Sequence, residues 1–99
     1  MTLTKEKNAN ELTVRLSGEL NTLTAPDLSA LLDSELDSVQ TLTLDFAECD
    51  YVSSAGLRVL LATYKKLKEA NGSMRLVNVG ENFMEVLKSM MFDAVFDIQ

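Results

Sequence analysis

The sequence predicts a small α/β domain: a mixed sheet of about four strands whose helices pack mainly on one face. Two observations indicate this class. Apolar and polar residues alternate in four segments and recur at helical spacing in three others, and each later strand follows a helix. Apolar residues make up 46% of the chain and charged residues 24%, as in soluble globular proteins. No linker rich in Gly, Ser or Pro interrupts residues 1–99, so we expect one domain.

The N-terminal segment has the period of two that is typical of β-strands. Met1, Leu3 and Lys5 alternate with more polar residues up to the turn-like Asn8-Ala9-Asn10. A second alternating stretch follows, with its apolar positions at Leu12, Val14 and Leu16. These two stretches predict a hairpin of two strands.

The first helix begins near Thr24. Thr24 can cap free backbone N–H groups, Pro26 suits the first turn, and Asp27 places negative charge at the positive end of the helix dipole. The apolar positions that follow have helical spacing and form one leucine face: Leu28, Leu31, Leu32 and Leu36.

The rest of the chain alternates strands with helices. We predict strands over 41–46 and 74–79, and a helix from Ala55 to about Ala70 that ends at Asn71-Gly72. A third helix begins near Glu81, and the apolar tail packs elsewhere. Strands joined through helices are expected to pair in parallel.

Composition excludes several classes of function. The formal net charge is −6 and the isoelectric point is near 4.5, so nucleic acids and anionic membranes are poor partners. The chain has no histidine and one cysteine, which rules out Cys/His zinc sites and histidine-dependent catalysis. We therefore expect no cofactor, no metal and no catalytic residue. The polar segment from Met1 to Asn10 predicts no membrane insertion and a cytoplasmic location.

Several other side chains have plain structural interpretations. We expect Asp45 and Asp50 to be solvated acids and Cys49 to be a small, half-buried apolar residue. Met84, Met90 and Met91 could form an adaptable contact surface near Phe92, but packing in the core and tail is the preferred prediction.

The most informative segment is Tyr51-Val52-Ser53-Ser54-Ala55-Gly56-Leu57, where two serines and a glycine come before a strong helix. A serine at this place can be a helix N-cap, worth about 1 kcal/mol. It can also be a phosphorylation site, because a helix N-terminus accommodates a phosphate and a neighbouring glycine leaves the backbone accessible. The residues alone leave both interpretations open.

Two separated motifs resemble the STAS domain family, specifically its stand-alone bacterial anti-sigma factor antagonists. The first runs from Leu44 through Ser53 and Ser54 to Leu61, and the second from Leu16 to Leu28. The resemblance extends along essentially the whole chain. It implies a protein without catalysis of its own that binds an anti-sigma factor with serine kinase activity. Phosphorylation at the start of the second helix would inactivate the protein, and a serine phosphatase would restore it.

The resemblance also implies site residues. Many members have Asp-Ser-Ser/Thr-Gly in this loop, and an ungapped match places Ser53 at the aspartate and Ala55 immediately before Gly56. By proximity to the helix we assign Ser54 as the phosphoacceptor, with Ser53 as the second choice. The residues expected to contact the partner are Asn21, Thr22, Ser53, Ser54, Ala55, Gly56, Leu57 and Arg58. Asn21 stands where many members have aspartate.

A second function remains open on the same fold. The chain could be a constitutive STAS subunit of a membrane transport complex of the ABC type, where it would not be switched by phosphate. The acidic charge and the Ser53-Ser54-Ala55-Gly56 loop favour the antagonist. Ala55, which lacks a hydroxyl, favours the subunit.

Overall fold

The computed structural model describes residues 1–99 and has one five-stranded sheet with strand order β1-β2-β3-β4-β5. In chain order the elements are β1 (Thr2–Asn8), β2 (Glu11–Ser17), α1 (Ala25–Glu35), β3 (Thr41–Glu48), α2 (Ser54–Glu69), β4 (Ser73–Val77), α3 (Glu81–Ser89) and β5 (Asp97–Ile98). β1 pairs antiparallel with β2, and all later neighbours are parallel. The predicted mixed α/β fold is confirmed.

One face of the sheet forms the core. Val14, Leu44 and Leu76 lie side by side in neighbouring strands and are fully buried, because alternate strand residues point to the same face. The opposite face carries polar residues such as Thr43 and Arg75, whose Nε donates a hydrogen bond to the Thr43 hydroxyl at 2.9 Å. The helices therefore cover a single face, as the sequence predicts.

The fifth strand is the main difference from the predicted sheet. Met91 has a left-handed backbone conformation with φ of +62°, which ends α3 and reverses the chain. The tail then returns along β4, where Asp97 pairs with Arg75 and Ile98 with Leu76. A strand of two residues has no detectable alternation, so periodicity could not identify it.

The helices are amphipathic and end on recognisable signals. In α2 the buried positions include Leu57, Leu60 and Leu67, and Asn71, with φ of +59°, stops the helix as predicted. None of the helices combines the length and apolar character that crossing a bilayer requires.

Candidate functional site

The loops after β2 and β3 meet at one edge of the sheet. Leu20 and Val52 form an isolated parallel bridge, and the Ser53 N–H donates to the Leu20 carbonyl at 2.9 Å. The Leu20 N–H in turn donates to the carbonyl of Tyr51 at 3.1 Å. The structure therefore brings the Asn21-Thr22 turn next to the Ser53-Ser54 loop, which is the proximity that parallel neighbouring strands predict.

Ser53 and Ser54 have different places in the structure. Ser53 is the N-cap of α2, is half-buried, and accepts a hydrogen bond from the Gly56 N–H at 3.4 Å through its Oγ. Ser54 is the first residue of the helix and is exposed. The two interpretations of a serine at this place thus divide between the two residues: Ser53 has the capping role and Ser54 is accessible.

Gly56 lets the two loops approach each other. A Cβ atom added at this position would lie 2.7 Å from Leu20 Cγ and 2.9 Å from Val52 Cγ2. Such distances are far inside van der Waals contact, so only glycine fits without a shift of the neighbouring side chains. Gly56 thus allows the start of α2 to pack closely against the Leu20–Val52 bridge between the loops.

The turn between β2 and α1 is held by local hydrogen bonds. The Asn21 Oδ1 atom accepts from the N–H groups of Leu23 at 2.9 Å and Thr24 at 3.1 Å. The predicted capping role of the Thr24 hydroxyl is wrong, because this group donates to the Glu19 carbonyl at 2.7 Å and accepts from the Asn21 N–H at 2.9 Å. Thr24 therefore shapes the turn instead of capping α1. An amide at position 21 suffices for this geometry.

The other residues expected at the site differ in accessibility. Thr22 and Arg58 are exposed, and Ala55 is half-buried. Gly56 and Leu57, which were also expected to contact a partner, are buried at the start of α2.

Several apolar side chains are exposed in the structure. The sequence did not single out Leu23 and Tyr51 as exposed, and it predicted that Met90 and Met91 would be packed. Leu23 is 86% exposed at the tip of the Asn21 turn, and Tyr51 is 45% exposed just before the bridge. The preferred prediction for Met90 and Met91 is wrong, since these residues are 51% and 77% exposed after the end of α3. Leu23 could have been recognised from the sequence, because a leucine within a turn is often exposed.

Asp45 links its own strand, β3, to Arg15 of β2 and to Asn78 just after β4, and it is not the solvated acid that the sequence predicted. Its Oδ1 atom accepts from the Asn78 side-chain amide at 3.0 Å and from the Ala47 N–H at 2.9 Å, and Oδ2 lies 3.7 Å from Arg15 Nε. The Asn78 hydrogen bond, helped by Ala47 and Arg15, lowers the pKa of Asp45 against the opposing effect of burial. Asp50 is exposed, as expected.

This pKa shift predicts a pH-dependent effect of Asp45→Asn. A carboxylate with a depressed pKa stabilises the fold above its unfolded pKa of about 3.9, and this contribution disappears as the pH falls through the folded value. We expect the variant to be less stable than the wild type by about 1 kcal/mol at pH 7, with the difference shrinking below pH 4. Thermal unfolding followed by circular dichroism from pH 7 to pH 2 measures it.

The exposed carboxylate of Asp50 supplies the matched control for this prediction. Asp50→Asn should leave the melting temperature nearly unchanged across the same pH range. A stability difference for Asp45→Asn that stays constant with pH would contradict the electrostatic explanation.

Cys49 is fully buried beneath the same loop. Burial raises the pKa of its thiol, and the Sγ atom lies 3.6 Å from the Tyr51 carbonyl. The side chain therefore behaves as a small core residue, more deeply buried than predicted. No group of three or more potential side-chain metal ligands forms in the structure.

Comparison with known proteins places this geometry in a family. The STAS domain family matches residues 2–99. BtrV of Bordetella bronchiseptica, named as an anti-sigma factor antagonist, is 33% identical over 99% of this chain and 85% of its own length. The anti-sigma-B factor antagonist of Bacillus subtilis is 27% identical over 94% of this chain and 85% of its own.

Solved structures agree with the sequence comparison. A crystal structure of an anti-sigma factor antagonist from Mycobacterium paratuberculosis superposes with a TM-score of 0.86 and 28% identity. The match covers 98% of this chain and 83% of that one. The chain therefore belongs to the STAS domain family and, within it, is related to the anti-sigma factor antagonists.

Proposed function

We propose that this protein is a phosphorylation-controlled anti-sigma factor antagonist that acts in the cytoplasm. In this role it binds an anti-sigma factor with serine kinase activity and so frees a sigma factor. Phosphorylation of Ser54 ends the interaction, and a serine phosphatase restores it. The protein is the substrate and the switch, with no catalysis and no cofactor of its own.

The observation that carries this proposal is the division of roles between the two serines. Ser53 caps α2 through its hydroxyl, so its modification would remove a contact of the helix. Ser54 is exposed at the first helical position, where a phosphate meets backbone N–H groups and the positive end of the helix dipole. Arg58 lies one turn further along the helix and offers a cation to the same phosphate. The fold can therefore accept the group on Ser54.

Surface composition supports a protein partner. Leu23 in the Asn21 turn and Tyr51, two residues before Ser53, are exposed and give each of the two neighbouring loops an apolar contact. Exposed acids, Glu19 and Asp50, lie in the same two loops and suit a partner with basic side chains. A phosphate would add about −1.5 to −2 charges beside these acids, and this strongly hydrated group would have to lose water for the partner to dock against the loop. The names of the related proteins support an anti-sigma factor as the class of partner.

Mass spectrometry after incubation with the candidate anti-sigma kinase and ATP tests the proposal. We expect one phosphate on the wild type, located by peptide analysis at Ser54. Ser54→Ala should lose the modification completely, whereas Ser53→Ala should retain it because its exposed neighbour is intact.

The controls separate the two functions considered from the sequence. The kinase must be shown to be active on another substrate. If the wild type then gains no phosphate, the switch is refuted for this pair, and a constitutive subunit of a transport complex becomes the better explanation. A phosphate found on Ser53 would refute the assignment of the acceptor but keep the switch.

A further inference from the structure

An apolar cleft opens directly beside Ser54, between α2 and the chain that follows α3. It has a volume of about 210 Å³. Its walls are Ser54, Leu57, Arg58, Leu61, Met90 and Phe92. Most of this lining is hydrophobic, and the two polar residues both belong to the first turns of α2.

The wall formed by the C-terminal segment is fixed by packing. The left-handed conformation of Met91 turns the chain after α3 so that Phe92 follows in a short 3₁₀ turn. The Phe92 ring lies 5.5 Å from the ring of Phe96, which in turn meets Tyr64 of α2 at 5.7 Å. Met90, at the end of α3, lines the cleft and is 51% exposed. The cleft is thus built from ordered elements.

We propose that this cleft receives one apolar side chain of the anti-sigma factor, in an inference that rests on the proposed function. The volume lies below the range of about 300–1,000 Å³ that is usual for small-molecule pockets, so a single side chain is the better fit. Ser54 is both the proposed phosphoacceptor and part of the cleft wall. A partner that covers the serine loop therefore also covers the cleft.

A second copy of this chain is a less suitable occupant. Each copy has a net charge of −6, and the adjoining loops expose Glu19 and Asp50. Two such surfaces would repel each other on approach, whereas a partner with basic residues around an apolar side chain would be attracted. Arg58 is the only charged residue in the cleft wall, so the basic residues of the partner would face the acidic loops and not the cleft itself.

The cleft explains how a modification can stop binding without unfolding the protein. A phosphate on Ser54 would stand at the mouth of an apolar site. Docking of a hydrophobic side chain would then require the phosphate to lose water, and that cost is large for a charged group. Binding would weaken even though α2 tolerates the phosphate.

Two adjacent methionines provide a matched test. Met90 lines the cleft, while Met91, which is even more exposed, does not. Met90→Gln and Met91→Gln each replace a thioether with an amide of similar length on the surface, so both variants should fold. Affinity for the purified candidate anti-sigma factor is measured by calorimetry, and melting temperatures are compared by circular dichroism. We expect Met90→Gln to weaken binding about tenfold or more and Met91→Gln to change it less than about twofold.

Each outcome decides a specific point. Equal affinities of the two variants, with the wild type binding well, would overturn the cleft inference and leave the proposed function intact. If the wild type does not bind the anti-sigma factor at all, the proposed function fails and the inference fails with it. A tenfold loss confined to Met90→Gln, with unchanged melting temperature, supports the cleft as part of the interface.

Discussion

Gly56→Ala is expected to destabilise the protein by about 2–3 kcal/mol and to lower the melting temperature by about 10–20 °C. The added methyl group would lie 2.7 Å from Leu20 Cγ and 2.9 Å from Val52 Cγ2. Leu20 Cγ is not the flexible end of a side chain, and both residues are buried in the bridge between the loops. Alanine in a helix gains about 1 kcal/mol over glycine, and overpacking outweighs this gain.

The matched control is Gly80→Ala at the N-cap of α3. A Cβ atom there meets nothing within 4 Å, and the backbone φ of −79° suits any residue. This change should cost at most about 1 kcal/mol, because alanine is a poorer N-cap than glycine. Thermal and urea unfolding of both variants compares them. If the two variants lose similar stability, the close contact with Leu20 and Val52 does not explain why position 56 needs glycine.

Periodicity predicts the helices and strands that bury one side against the core. Leucines at helical spacing predicted α1 and α2, and alternation predicted β2 and β3, because burial on one side is repeated along each of these elements. The sequence also predicts that the Asn21-Thr22 turn lies near the Ser53-Ser54 loop, because neighbouring parallel strands end at the same edge of the sheet. These expectations depend on local pattern and on the rule that strands joined through a helix pair in parallel.

Features set by tertiary contacts were not predictable in this way. Asp45 is half-buried because Asn78 and Arg15, distant in sequence, converge on it. Thr24 is a residue type that often caps helices, but its hydroxyl hydrogen-bonds to the backbone of Asn21 and Glu19 instead. The division between Ser53 and Ser54 depends on where α2 begins, and periodicity does not locate a helix start to a single residue.

Ser54→Glu is expected to weaken binding of the candidate anti-sigma factor about thirtyfold or more, while leaving the fold intact. A charge placed beside the cleft must lose water when the partner docks, and we expect this cost to exceed the attraction of Arg58 by about 2 kcal/mol, which corresponds to thirtyfold. The same carboxylate stands at the first position of α2, where the helix dipole and Arg58 favour it. The melting temperature should therefore stay constant or rise slightly.

Ser54→Gln separates charge from size, because glutamine has nearly the same shape as glutamate but no net charge. If desolvation of charge ends the interaction, the glutamine variant should bind within about fivefold of the wild type while the glutamate variant does not. Calorimetric titration of both variants at low and moderate salt makes the comparison. Equal losses for the two would mean that bulk at Ser54, and not charge, controls docking. A phosphate would then act by filling the mouth of the cleft, and its two negative charges would have no special part in the switch.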